Sequence, residues 1–455
     1  MLPKALNMLN FLQKTFYTSL FFRFCYVIYY SPAQQLWSDP MRHWNNGVEF
    51  FKFTYNSGMD PKLYQLYMYL LRGIFKDDPV LIAMVTGLLA VGVAYIWYKV
   101  ARELFYPNEK KALVFGIIFS LIPTLLCIFG YYFNETLLVY VIGWATYRSL
   151  KAYRLPTQRN FIYASIIWGI ASTAKITALP MALIAVFFML RNYDKRIRLA
   201  IYSFVILAFF IVLTCLHTYK SANIFSPAYT MQMNKIYNKS GYQTIRYDVV
   251  GENIGATYIW SSGSFYMDFL EPFGKYHTYR NKDTYSFKIN TANGSIDWND
   301  EINKLSDKQP LKDKLLNYYE NFVFLTLAGS WPDMNQERFL ERVNYNIRFM
   351  WLPLILSVLI FTFFIKASKK EMFFVITSFL MLVLFITQDS GIMEARYRKA
   401  IEPHLIFSVY IIFYSLLGRG NDEGDESFYT YCLNSAKEFI SPFIRDKNLK
   451  EEALL

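Results

Sequence analysis

Metal-binding and disulfide chemistry have little material in this chain. It holds 4 cysteines and 4 histidines in 455 residues. Cys25, Cys127, Cys215 and Cys432 stand far apart, and three of them lie in apolar stretches. With no CxxC and no Cys/His grouping, a structural zinc module is excluded and a disulfide framework is not expected. No acidic cluster marks a bound divalent cation, so the expected site works without a metal or other cofactor. The positive charge comes with no nucleic-acid-binding motif. Internal repeats, the sequence sign of many transporter folds, are absent. The first apolar stretch is long and lacks a small-residue cleavage site, so it reads as a retained membrane helix.

What the chain has instead is apolar and aromatic surface. Hydrophobic residues make up 54% and aromatics 19%, with 37 Tyr and 41 Phe, and the mean hydropathy is +0.18. A soluble domain of this size carries less of both. Aromatic rings in such numbers fit a membrane–water boundary. Lys and Arg number 47 against 35 Asp and Glu, a formal charge of +12. In a membrane protein that excess reads as cytoplasmic loop charge and anionic-lipid contact.

A membrane crossing takes about 20 apolar residues. Ten stretches read as spans: 9–31, 79–98, 111–131, 134–150, 160–177, 178–191, 199–219, 346–365, 371–388 and 400–418. The fifth and sixth are short and meet near Pro180. The loops Lys99–Lys111, Arg148–Arg159, Arg191–Arg198 and Lys366–Lys370 are all basic. With ten spans, all four fall on one side, which the positive-inside rule makes the cytoplasm. The opposite face receives the loop at 32–78, Asn134-Glu135, Lys175, the segment 219–345 and the charges of 394–399.

The expected fold is an all-α polytopic membrane protein of about ten transmembrane helices. Interfacial helices occupy its first outer loop, and a large non-cytoplasmic loop domain lies mid-chain. Four parts follow: a transmembrane module at 1–218, the loop domain at 219–345, C-terminal membrane helices at 346–418, and a charged, flexible cytoplasmic tail at 419–455. In the first loop Trp44, Val48, Phe51 and Tyr55 recur at helical spacing, as do Leu63, Leu66, Tyr67, Leu70 and Ile74. That is the pattern of two helices lying in the interface. A further helix is expected near Leu311–Leu325.

Charge at a membrane boundary is costly unless it has a partner or a task. The segment Met393–Leu405 puts Glu394, Arg396, Arg398 and Lys399 at the mouth of the last apolar stretch. Arginines beside a carboxylate suit an anion such as a lipid-linked phosphate. Lipid headgroup anchoring is the plainer alternative. Glu402 stands about one turn further in and pairs most simply with Arg398 at i+4. Asp39, before Pro40, fits a helix N-cap, with Arg42 and His43 one turn on and on its face. Asp60 and Lys62 lie between the two interfacial helices, where Asp60-Pro61 also serves as an ordinary helix start. Glu135 opens the fourth span, and a helix N-terminus favours a carboxylate in any case. Lys175 ends the fifth, where snorkelling to the interface accounts for it without a ligand. Asn-x-Ser/Thr patterns at Asn134, Asn238 and Asn293 matter only in a eukaryotic protein.

Three pieces, taken in order, carry a resemblance: Ser38-Asp39-Pro40-Met41-Arg42-His43-Trp44, Ala171-Ser172-Thr173-Ala174-Lys175-Ile176-Thr177-Ala178-Leu179-Pro180 and Glu394-Ala395-Arg396-Tyr397-Arg398-Lys399-Ala400-Ile401-Glu402-Pro403. They resemble polytopic glycosyltransferases of the GT-C superfamily. The nearest branch is family 39-like, the group of protein O-mannosyltransferases and lipid A aminoarabinose transferases. The resemblance covers the layout of 1–218 and 346–418 and leaves the large loop unaccounted for. It implies a sugar donor on a polyprenyl-phosphate carrier and inverting transfer to a glycan, lipid or protein acceptor. Asp39 then becomes the general base. Arg396, Arg398, Lys175 and Arg42 become the donor-phosphate ligands, while Glu135, Glu394, His43, Asp60, Lys62 and Glu402 support them or touch the acceptor. Protein O-mannosyltransferases carry a second acidic residue where this chain has Pro40, which shifts the expectation toward sugar or lipid acceptors.

Displacement at an anomeric carbon needs a base on the acceptor hydroxyl and stabilisation of the departing phosphate, through an oxocarbenium-like transition state. A placed carboxylate is worth ~10²–10⁴-fold as a base, and fixed cations supply an electrostatic contribution that is often larger. Two other classes would use the same outer cations: a flippase for polyprenyl-linked sugars, and a polysaccharide polymerase or ligase acting on a pyrophosphate-linked oligosaccharide. The early Asp39 loop favours the transferase. Richness in Ile, Asn, Lys, Tyr and Phe points to an AT-rich genome. A bacterial inner membrane, with the site on the periplasmic face, is therefore expected ahead of the endoplasmic reticulum. Membrane lipids are expected partners; nucleic acid is not.

Overall fold

Apolar stretches that must satisfy their own backbone polar groups form helices in lipid, and the computed structural model is mostly helical. It describes residues 2–36, 38–54, 57, 60–223, 225–227, 315, 318–319, 321–322, 325–327, 338–387, 395–417 and 426–434. The loop domain expected at 219–345 lies outside the described residues apart from a few positions. Of the helix expected near Leu311–Leu325, Leu315, Tyr318, Tyr319, Asn321, Phe322 and Leu325 are helical.

The helices are α1 (Leu2–Tyr29), α2 (Ser38–Gly47), α3 (Lys62–Phe75), α4 (Pro79–Leu104), α5 (Glu109–Leu121), α6 (Pro123–Leu126) and α7 (Asn134–Arg154). They continue with α8 (Gln158–Ala174), α9 (Ala178–Leu190), α10 (Arg196–Ala222), α11 (Phe339–Asn346), α12 (Trp351–Phe361), α13 (Lys369–Thr387) and α14 (Glu402–Leu416). Each apolar stretch of the sequence coincides with one of these or with a broken pair. Among the described residues 4 helices are long and apolar enough to cross a membrane: α4, α10, the run Phe339–Phe361, and α13. α5 with Pro123–Gly130 makes a fifth if the 65° bend between them falls within one span. α9 and α14 are apolar but only 13 and 15 residues long. At 1.5 Å per residue that is about 20 Å, short of a hydrocarbon core of about 30 Å. The break between α8 and α9 falls at 175–177. Pro180 instead occupies the first turn of α9, where its missing N–H costs nothing.

α4 packs on α1, α5 and α7, α7 on α8, α8 on α10, and α13 on α14. Aromatic rings join the two halves of the chain. Phe407 of α14 stacks on Phe115 of α5 at 4.9 Å, and His404 meets Trp97 of α4 edge-on at 5.2 Å. Gly169 lets α8 and α10 touch, since a Cβ there would stand 2.2 Å from the Phe210 ring.

The bend after α5 has a chemical cause and a chemical remedy. Pro123 has no N–H, so the Phe119 carbonyl loses its i+4 donor. Arg23 of α1 replaces it: Nη1 donates to Phe119 O and Ser120 O at 3.2 Å, Nε to Ala90 O at 2.6 Å, and Nη2 to Leu125 O at 2.5 Å. The cation is fully buried at the C-terminus of α5, where the helix dipole favours it.

The four basic loops meet at one end of the bundle. Arg154 pairs with Glu103 at 2.9 Å, Lys370 Nζ donates to Glu103 O at 3.3 Å, and Asn192 Nδ2 donates to Tyr153 O at 2.8 Å. The tail, expected to be flexible, is docked here over 426–434. β2 (Glu426–Ser427) pairs antiparallel with β1 (Lys366–Ala367). Arg191 holds Glu426 at 3.2 Å and covers the Tyr431 ring at 4.4 Å, and Phe428 packs on Phe363 at 4.9 Å.

Candidate functional site

Away from the basic loops, α2 and α3 form a hairpin that concentrates charge. Gly47 lets α2 approach α3 closely, since a Cβ there would lie 2.6 Å from Met68 Cβ. The chain then leaves the helix through the 3-10 turn Phe50–Lys52 and left-handed Phe53 (φ 54°). The continuous helix toward Tyr55 that the apolar spacing implied is not formed. On α3 the expected apolar stripe is the outer one: Leu70 and Ile74 are exposed and Leu63, Leu66 and Tyr67 half-buried, while Lys62, Tyr64, Gln65, Met68 and Leu71 are buried.

Asp60 is the hub of the hairpin. Its side chain is 2% exposed and accepts Arg42 Nε at 3.0 Å on Oδ1 and Asn46 Nδ2 at 2.8 Å on Oδ2. His43 Nδ1 lies 3.4 Å from Oδ1, in ion-pair range but outside hydrogen-bond geometry, and its ring meets Tyr64 edge-on at 5.1 Å. Burial by itself would raise the Asp60 carboxyl. His43, Arg42 and Asn46 outweigh it and hold the group below the usual carboxylate range. Asp60 is thus not a helix cap; Pro61 holds that position with no side-chain hydrogen bond.

Asp39 stands in the first turn of α2, inside the helix and not ahead of it. Its side chain is 16% exposed and accepts Arg42 Nη1 at 2.7 Å. One guanidinium, itself 40% exposed, therefore joins an accessible carboxylate to an enclosed one. Arg42 shares the Asp39 face as the spacing predicts, whereas His43 turns to Asp60 and Tyr64. Lys62 Nζ donates to Ser57 O at 2.7 Å. Burial, partly offset by Asp60, brings its ammonium down to about 8.

Tyr64 links the hairpin to a second group. Its hydroxyl sits beside Glu135 and Thr136 at the start of α7. Burial, with Tyr67, Tyr132 and Glu135 nearby, pushes that hydroxyl well above its ordinary value, so it stays neutral. Glu135, buried in the first turn of α7, pairs with Lys175 at 3.1 Å. Lys175 follows the last turn of α8 and lies 3.9 Å from the Tyr397 ring centre. Its ammonium thus meets a carboxylate and an aromatic face at once. Asn134 is buried, so its Asn-x-Thr pattern presents no acceptor amide. Asn238 and Asn293 lie outside the described residues.

A third group is closed. In the 3-10 helix Ala395–Ala400, Arg398 and Lys399 are fully buried. Arg398 Nε binds Glu402 Oε1 at 3.0 Å, Nη1 donates to Leu325 O, and the guanidinium covers the Trp351 ring at 4.4 Å. Lys399 donates to Thr124 Oγ1 and lies 3.5 Å from Glu402, and Thr124 donates to Glu402 Oε2 at 2.7 Å. The i+4 pair of Arg398 and Glu402 is the one the spacing indicates. These cations do not stand open at a surface; they pin the start of α14 to the bend after α5 at Thr124. Glu394 and the Arg396 side chain lie outside the described residues.

Asn46, Tyr64 and Thr124 complete these groups without having drawn notice in the sequence. None is charged, and their partners lie as far off as Glu402, 278 residues from Thr124. Among the described residues no three His, Cys, Asp or Glu side chains come together as metal ligands, and the cysteines are free thiols. The chain matches no protein-family model, no curated protein and no solved structure. What the groups offer chemically is an accessible carboxylate clamped by a half-exposed guanidinium and, across Tyr64, a carboxylate–ammonium pair. That is equipment for taking a proton from a hydroxyl and for stabilising an anion.

Proposed function

We propose that this chain is an integral membrane glycosyltransferase of the GT-C type. It moves a sugar from a polyprenyl-phosphate carrier to a hydroxyl of a glycan or lipid acceptor. The observation that carries this reading is the shared guanidinium: Arg42 ties accessible Asp39 (2.7 Å) to enclosed Asp60 (3.0 Å) on an interfacial hairpin.

Asp39 takes the acceptor proton as the acceptor oxygen bonds to the anomeric carbon. The bond from that carbon to the phosphate oxygen breaks, and polyprenyl phosphate leaves. Arg42 and Lys175, both partly exposed, are the cations that meet the departing phosphate. Asp60 and His43 position Arg42, Lys62 adds charge beneath it, and Glu135 holds Lys175. Arg398, enclosed by Glu402 and Trp351, supports the segment carrying Tyr397 and does not touch the donor. The topology proposed has ten crossings, of which 4 or 5 are long and apolar enough by themselves among the described residues, with the four basic loops in the cytoplasm and the Asp39 end on the opposite face. The meeting of those loops at one end supports this topology. A bacterial inner membrane is the membrane assigned.

Purified protein in nanodiscs, incubated with a panel of polyprenyl-phosphate monosaccharides, tests the reading by mass spectrometry of released sugar. Release that depends on Asp39 and Arg42 is the expected result and identifies the donor. No release from, and no binding of, any monophosphate donor overturns the reading. The next donor is then a pyrophosphate-linked oligosaccharide, which a polymerase would use.

A further inference from the structure

Over 134–152 the side chains of α7 are buried except at Tyr140, Trp144, Tyr147, Arg148 and Lys151. The spacing i, i+4, i+7, i+8, i+11 places these on one stripe of the helix. The stripe is aromatic along its length and basic where it reaches the cluster of basic loops. There Arg148 lies 5.9 Å from the Tyr147 ring centre and 5.8 Å from that of Tyr163 on α8, and Arg159 lies 5.5 Å from the same Tyr163 ring. Tyr163 is exposed, and Ile166, one turn along α8, is half-exposed. Arg154, between the two arginines in sequence, is neutralised by Glu103 at 2.9 Å. Arg148 and Arg159 have no carboxylate partner among the described residues.

Two guanidinium groups gathered on one ring repel each other, and cation–π contacts near their outer distance limit return little. A phosphodiester between them satisfies both, because each guanidinium presents a planar fork that matches phosphate oxygens. A free phosphate ion would leave the aromatic stripe unused, whereas a phospholipid uses the cations and the stripe together. We infer that the face between α7 and α8 at the basic end binds an anionic phospholipid. Its phosphate lies between Arg148 and Arg159, and an acyl chain runs along Trp144 and Tyr140. This rests on the membrane placement proposed above and not on the transferase chemistry, so its test uses no sugar donor.

Native mass spectrometry of the full chain in detergent, titrated with phosphatidylglycerol or phosphatidylcholine, measures retention of each lipid. Each basic side chain near an anionic headgroup contributes roughly a factor of five, so the R148A/R159A double variant is expected to lose roughly 25-fold in phosphatidylglycerol retention. Phosphatidylcholine retention stays unchanged, as does phosphatidylglycerol retention by a K110A/K195A control. Equal retention of the two lipids by the wild type overturns the inference. An equal loss in the control does so too, since it makes the effect diffuse charge. Displacement of the lipid by inorganic phosphate at millimolar concentration assigns the cations to a free ion and also overturns it. A second measurement needs no variant. Phosphatidylglycerol with a photoactivatable headgroup is expected to cross-link the wild type within 144–163; cross-links spread over all four basic loops contradict a defined site.

Discussion

The two ends of this bundle are both rich in charge and use it differently. At the basic end the guanidinium groups of Arg102, paired with Glu109, and Arg154, paired with Glu103, stay in part open to solvent, while the docked tail encloses Arg191 with Glu426. At the Asp39 end two carboxylates, Asp60 and Glu402, are enclosed, and each is shared. Asp60 serves Arg42 and Asn46, and Glu402 serves Arg398, Lys399 and Thr124. An open pair is worth about 0–1 kcal/mol, whereas removing one partner of a buried pair costs about 3–5 kcal/mol. Loop charge at the first end needs only to be on the correct side of a membrane. Charge at the second end needs particular neighbours, which is what a reactive site requires.

The largest expected difference between the ends is in activity. Asp39→Asn should lower sugar transfer by about 10²–10⁴-fold while leaving the unfolding midpoint near wild type; a large drop in that midpoint would make Asp39 a structural residue. Next comes Glu402→Ala, which strands Arg398 and Lys399 and should cost about 3–5 kcal/mol in denaturant unfolding. An unchanged midpoint would mean that the closed group does not hold α14.

Two smaller effects depend on pH. Asp60 is held below the ordinary carboxylate range, so the stability it contributes is fully present above about pH 4 and is lost as pH falls below that. Asp60→Asn should flatten this acid arm of the stability profile. Lys62 acts with the same sign at higher pH. Its folded value of about 8 lies below the ordinary lysine value, so the unfolded chain binds more protons between the two and stability rises with pH across that interval. Lys62→Met should remove the rise; a profile identical to wild type would show that Lys62 is not desolvated. The smallest effect belongs to the basic end, where Glu103→Gln should shift stability by less than about 1 kcal/mol.

Helices were legible in the sequence because apolarity and length are local properties. The shared side of the four basic loops was legible because loop charge survives any uncertainty in helix ends. Pairings across the chain were not. Asp60 before Pro61 looks like a helix start, and only closure of the hairpin onto Arg42, His43 and Asn46 makes it a hub. Arg23 reads as a stray charge until the carbonyls freed by Pro123 are brought to it from 96 residues away. The tail at 426–434 is charged and looks loose, yet its anchors are Lys366 and Arg191, the latter 235 residues earlier. For the site, the i+4 pair of Arg398 and Glu402 and the i+3 pair of Asp39 and Arg42 followed from helical spacing. The burial of Arg398 did not, because it depends on Leu325 and Trp351 closing over it.

The central claim is that the Asp39 end does chemistry and the basic end does not. Sugar release from a turned-over polyprenyl-phosphate donor, compared between Asp39→Asn and Glu103→Gln in the same nanodiscs, tests it most directly. The account predicts that Asp39→Asn loses transfer and Glu103→Gln keeps the wild-type rate. Wild-type transfer by Asp39→Asn would contradict it.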